Sequence, residues 1–406
     1  VSHVALRPSA QNQEFRPLSD EKPGATFSES GLGAGFGVYV HWPYCARICP
    51  YCDFNVYRDR DRDPAPLLAA IAADIAAQRA RIGPQQLESV FLGGGTPSLL
   101  GGREIAGLLG AIDRAFGIGP DVEITLEANP EDALRFTDQV AAGVNRLSLG
   151  LQALNDHDLQ ALGRRHDAAG GSAGVSTAAA TGARVSIDLI YARQGQSLQA
   201  WAGELRRALN LPVEHLSLYQ LTIEAGTAFE RAVRRGALIP PGAPLAADLY
   251  GLTQELCEEA GFPAYEISNH ARADKAQSRH NLVYWRSRAW IGAGPGAHGR
   301  VVLDGVRTAS TAARRPGDYI ARVNADGVGW ANIEPLTPEE QGEEALMMGI
   351  RLSEGIARRP IEALLGRTLN SAAHVAQGLV APDADLLRLT PAGRLLADRI
   401  ALDLLG

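Results

Sequence analysis

Cationic charge is short in this chain. Lys and Arg number 39 against 46 Asp and Glu, a net charge of −7 over 406 residues. That balance excludes a general affinity for nucleic acid or acidic lipid. Long apolar runs are missing too: none approaches the ~20 residues that span a bilayer, so no transmembrane segment is expected. The opening stretch, VSHVALRPSAQNQEF, has no apolar core of a secretion signal. Cysteine is scarce, four in all. An odd trio among them does not read as a disulfide framework, and a reducing, cytoplasmic setting is expected. The 46% of hydrophobic residues supply apolar material for a large core, and the length suits two domains.

Three of the four cysteines, Cys45, Cys49 and Cys52, stand together in VYVHWPYCARICPYCDF, Val38 to Phe54. Three thiolates on one loop suit a soft metal centre: an iron–sulfur cluster, zinc or Cu(I). A cubane [4Fe–4S] cluster normally takes four cysteines. Three leave one iron for a small-molecule chelate. The competing reading is a Cys3His zinc site using His41, but structural zinc sites usually draw ligands from two separated knuckles and no second knuckle follows.

Residues 1–35 read as a disordered polar tail. Its GLGAGFG stretch precedes a strand, so it is a flexible lead-in and no dinucleotide loop. From there strands and helices alternate. The strands are expected at Val38–Trp42, Ser89–Leu92, Val122–Glu127, Asn145–Leu149, Arg184–Ile190 and His215–Leu221. Helices are expected at Pro66–Ile82, at Glu131–Ala142 and behind the N-caps Asn155 and Ser197. Such alternation gives an α/β fold with a parallel sheet. Six units fit an open, partial (β/α)6 barrel, with a doubly wound sheet as the alternative.

Polar residues gather where these strands end: His41 and the cysteines, then Gly93 to Pro97, Glu127 and Asn129, Gly150 and Gln152, Asp188, and Tyr219 to Thr222. In barrel enzymes that rim carries the active site. Taken singly, each could cap a helix or shape a turn; six strands aiming polar groups at one rim favour function.

The spacing C-x3-C-x2-C with Tyr51 before the last cysteine resembles the radical S-adenosylmethionine (SAM) superfamily. There a [4Fe–4S] cluster chelates SAM and splits it into methionine and a 5′-deoxyadenosyl radical. The resemblance implies Cys45, Cys49 and Cys52 as cluster ligands. It places Gly94, Gly95 and Thr96 at the methionyl end of SAM and Tyr39 and Tyr51 beside cluster and adenine. Glu127, Gln152, Arg164 and Asp188 match further SAM contacts.

Together with FLGGGTPS, GVNRLSLGLQ, IDLIY, LSLYQLTIE, HNLVYW and GAGPGAHG, the motif is similar to the oxygen-independent coproporphyrinogen III oxidase family. Its decarboxylating members carry a further cysteine where this chain has Phe54. HNLVYW resembles the motif of the HemW subgroup, the haem chaperones. Gln194 replaces a common proline and Pro295 interrupts a glycine run; neither removes a ligand. The resemblance implies haem as cargo and haemoproteins, respiratory and membrane-associated ones among them, as acceptors. Coproporphyrinogen oxidation is the alternative.

Residues from about 225 to 300 leave the strict alternation, and YEISNHA, RHNLVYW and WIGAGPGAHG within them are dense in His, Tyr, Trp and Gly. Imidazole and phenolate are known haem ligands, which makes His280 and Tyr284 the haem candidates, against a structural reading as satisfied core residues. The segments are thus a tail (1–35), a radical SAM partial barrel (36–225), a barrel completion with the haem motif (226–334) and a winged-helix-like C-terminal domain (335–406). That last domain offers no concentrated basic face for DNA.

Overall fold

The computed structural model describes residues 35–60 and 62–406. The expected tail lies outside the described residues, apart from Gly35.

Alternating apolar runs become one sheet of eleven strands. The six expected strands form as β1 Phe36–Trp42, β2 Leu87–Gly94, β3 Glu123–Ala128, β4 Arg146–Gln152, β5 Arg184–Tyr191 and β6 His215–Gln220. Each pairs in parallel with the next. A short β7, Asn269–Ala271, runs antiparallel on β6. On the other flank of β1 stands a further parallel strand, β8 Ala289–Ala293, with Phe36 opposite Ala289 and Val40 opposite Ala293. The antiparallel strands β9 His298–Leu303, β10 Val306–Ala312 and β11 Trp330–Pro335 follow it. The order is β11-β10-β9-β8-β1-β2-β3-β4-β5-β6-β7, so the two edges do not pair with one another. This is an open partial barrel of the α/β class, one parallel strand wider than the sequence suggests.

Parallel strands covered by helices are apolar on both faces, and here the helices cover one face. The helix α1, Ala65–Ile82, buries Ile71 and Ile75 completely, and α2, Gly102–Phe116, does the same with Ile105 and Ile112. Each such side chain contributes about 1.5–3 kcal/mol by leaving water. Asn155 and Ser197 cap their helices as expected, accepting from the amides of Asp158 and Ala200. The single helix expected over Glu131–Ala142 splits into a 3-10 stretch, Pro130–Arg135, and a short α-helix, Phe136–Ala141. Within the 3-10 stretch the Asp132 side chain is drawn to Ser98 and Arg135, which tightens the chain there.

The last seventy residues have their own apolar core, which includes Leu346, Ile350, Ile361, Leu387 and Ile400. Three helices, Pro338–Gly349, Arg358–Leu365 and Ala397–Leu405, surround a small antiparallel pair, Ile356–Ala357 with Leu386–Leu387. Thr390 caps a further short helix, Pro391–Arg394, its side chain accepting from the Gly393 amide. The result is a smaller α+β domain of winged-helix type.

Candidate cluster and nucleotide site

The cysteine loop leaves β1 at the C-terminal mouth of the sheet. Cys45 is buried, Cys49 and Cys52 are half-buried, and none forms a disulfide. Burial pushes the Cys45 thiol up to about 11, opposed by a hydrogen bond from Thr96, and the Cys52 thiol up to about 12, opposed by the Phe54 amide. A soft metal must therefore displace protons to bind. Three free thiols on one loop, with donors already aimed at sulfur, fit a cluster of thiolate-ligated iron.

The loop is braced on one side by the segment after β4. Arg164 donates through Nη1 to Cys49 Sγ at 3.6 Å and through Nη2 to the Gly150 carbonyl at 2.7 Å and to Asn129. Its Nε is buried without a partner in the described structure. A buried cationic donor left open is costly unless something anionic completes it. Gly163, at φ +73°, passes under Pro50, where a Cβ would come within 2.7 Å of the proline ring. Tyr51 lies beside Cys49 and packs on Phe229 with ring centres 6.2 Å apart.

The loop after β2 reaches the same place. Gly95 donates to the Trp42 carbonyl at 2.6 Å and Thr96 to that of Tyr44 at 2.9 Å. Both bonds tie the GGGTP turn to the chain just before Cys45. Gly94 sits at φ +104° directly over the His41 ring, an approach only glycine permits.

Tyr39, Glu127 and Asp188 stay partly accessible between buried neighbours on their strands. They share one face of the sheet by the period of two, which gives the barrel a polar, partly open interior. Burial, with the Asp188 carboxylate nearby, raises Glu127 to about 7, and burial raises Asp188 as well. Gln152 adopts φ +69° at a register shift against β5. Such a bulge re-aims side chains and is typical of functional rims.

His41, the imidazole of the competing zinc reading, and the haem candidates are each engaged by neighbouring groups. His41 does not face the cysteines: its Nδ1 meets the Tyr39 hydroxyl at 2.8 Å and its Nε2 the Asn55 carbonyl at 3.0 Å. The Cys3His zinc set is therefore not assembled. The haem candidates lie toward the opposite end of the barrel from the cysteines. His280, 1% exposed, meets Ser89 Oγ through Nδ1 at 2.9 Å and Tyr284 through Nε2 at 2.7 Å, and stacks on Phe91. Both ring nitrogens are committed in this conformation, and burial lowers the imidazole to about 3. Both candidates belong to α3, Arg279–Trp285. Sequence reading missed Asn55 as a contact at the mouth; its only signal was its position three residues after Cys52.

Comparisons with known proteins agree with this arrangement. Residues 39–205 match the Radical SAM superfamily and residues 336–396 the HemN C-terminal domain. The heme chaperone HemW of Mycobacterium tuberculosis is 37% identical, over 97% of this chain and 100% of that protein. Radical S-adenosyl methionine domain-containing protein 1, mitochondrial, of Bos taurus is 38% identical over 97% and 92%. The structure of HemN from Escherichia coli superposes with a TM-score of 0.77 at 22% identity, covering 92% of this chain and 90% of that one. The thiol trio, the glycine turn and the open barrel thus have one common explanation: this chain belongs to the HemW subgroup of the oxygen-independent coproporphyrinogen III oxidase-like radical SAM family.

Proposed function

We propose that this protein is a haem chaperone built on a radical SAM scaffold. Cys45, Cys49 and Cys52 would hold a [4Fe–4S] cluster, leaving one iron for SAM. Gly94, Gly95 and Thr96 line the methionyl end. Arg164 turns its unpartnered Nε toward an anionic group, and Glu127 and Asp188 suit the ribose hydroxyls. The observation that carries the reading is this convergence at one mouth, in a chain 37% identical to a HemW along its whole length. When bound, the cluster supplies one electron and one open iron; the chain supplies the ligands, the orientation and the shielding.

Haem is the proposed cargo and haemoproteins the proposed acceptors. Among the described residues no helix is long and apolar enough to cross a membrane. A reducing compartment such as the cytoplasm keeps the thiols available, although the bovine relative's name says mitochondrial. In this reading the barrel runs over 36–225, its completion with the haem motif over 226–334, and the C-terminal domain over 335–406. Phe54, standing where decarboxylating members have cysteine, turns the reading away from coproporphyrinogen oxidation.

Anaerobic reconstitution with iron and sulfide, followed by titration with SAM and then with haem, tests the proposal. Four irons per chain, an electron paramagnetic resonance (EPR) change on adding SAM and a Soret shift with haem are expected. A loaded protein that shows no Soret shift above a control overturns the chaperone role. Protoporphyrinogen formed from coproporphyrinogen would replace it with decarboxylation.

A further inference from the structure

We propose that Asn55 is a positioning residue that locks the cysteine loop to the barrel wall, with the glycine run Gly292–Gly299 as its seat. The inference rests on the cluster reading above but concerns a residue that touches no ligand. Asn55 lies three positions after Cys52. Its Nδ2 uses both protons, donating to the carbonyls of Pro295 at 2.9 Å and Arg314 at 2.8 Å. Its own carbonyl meets His41 Nε2 at 3.0 Å. Tyr57 repeats the anchor, its hydroxyl meeting the Arg314 carbonyl at 3.1 Å. One residue therefore joins four places: its side chain ties the exit of the cysteine loop to the turn after β8 and the segment after β10, and its backbone carbonyl ties it to the end of β1.

The seat is shaped for this contact. Gly296 sits at φ +78°, and a Cβ there would lie 2.6 Å from Asn55 Nδ2. Gly294, at φ +111°, carries its Cα against the His41 carbonyl, where a Cβ has no room. The seat is held from behind. Gly294 donates to the Tyr319 hydroxyl at 2.9 Å, Tyr319 donates to buried Asp74 at 2.7 Å, and Gly329 donates to Asp74 at 3.0 Å. The glycine run is thus packed under the cysteine loop, with only Gly296 and His298 reaching solvent, and offers no broad flat face to a porphyrin.

Asn55→Asp tests the lock, because the side chain keeps its shape and loses both donated protons. Gly296→Ala attacks the same contact from the seat and carries the test should the first variant fail to fold. Three measurements are made on parent and variants: iron and sulfide after reconstitution, the EPR change across a SAM titration, and amide exchange of residues 45–57 without metal. The lock predicts iron content close to the parent's, SAM affinity weakened about tenfold, as the loss of about 1.4 kcal/mol of positioning implies, and exchange in 45–57 faster by a similar factor. SAM titrations and exchange that match the parent in both variants overturn it. A parent that loads no iron would sink the cluster reading instead, and the exchange measurement would still decide the lock.

Discussion

Glu127 accepts the amide proton of Gly94 through Oε2 at 2.9 Å. This bond joins the end of β3 to the glycine turn after β2, so the carboxylate shapes the nucleotide mouth as well as lining it. Burial and Asp188 hold Glu127 at about 7, far above an ordinary glutamate. The folded protein therefore keeps a proton there that the unfolded chain has released. Its stabilising contribution is full below the unfolded value near 4.3 and is lost as pH rises through about 7. Glu127→Gln should remove this dependence. Urea midpoints of variant and parent are expected to diverge between pH 5 and 8, the variant gaining relative stability as pH rises. Parallel curves would place the group elsewhere.

The imidazoles behave in the opposite sense. Burial lowers His280 and His270 to about 3, and His215 also falls well below its usual value. The unfolded chain takes up these protons first as pH drops. Stability from the three neutral rings is complete above about 6.5 and drains away as pH falls toward the folded values. Thermal melts of the metal-free protein should show a falling midpoint below pH 6.5, shallower in His280→Gln than in the parent.

His280→Ala leaves Ser89 and Tyr284 without their shared partner. We expect a loss of about 2–4 kcal/mol in unfolding free energy, from unsatisfied hydrogen bonds and a cavity beside Phe91. Denaturant titration without haem measures it. A variant as stable as the parent that fails to bind haem would make ligation the main role of this histidine.

Arg164→Ala removes the donor to Cys49, the clamp on Gly150 and the open Nε at once. Reconstituted protein should lose SAM affinity by tenfold or more, about 1.4 kcal/mol or above, while Cys49→Ser should lower the iron content itself. Iron assay and EPR separate the two effects.

Much of this was legible in the sequence. The six parallel strands announced themselves because apolar residues recur at alternate positions along them, as Ile124 and Leu126 do in β3 and Leu147 and Leu149 in β4, and the cysteine trio because thiol spacing is chemically specific. β8 escaped notice: AWIGA is five residues long and sits among aromatic and glycine residues that suggested a ligand surface. The setting of His280 was not legible for a related reason. A histidine in an aromatic run reads equally as ligand or as core, and only the fold brings Ser89, 191 positions away, to its second nitrogen. Asn55 could not be singled out, since its partners Pro295 and Arg314 are distant in sequence and are contacted through backbone atoms, which leave no trace in residue identity.

The unjoined edges of the sheet have a mechanical consequence. A sealed ring can widen only by tearing rungs from its ladder. Here β7 and β11 share none, so the wall can splay like a cuff with every rung intact. The seven-residue segment carrying His280 and Tyr284 is a helix outside that ladder. What ties that helix to the wall is side-chain bonding instead: His280 Nδ1 meets Ser89 Oγ, and Glu123 accepts from the amides of Arg279 and His280.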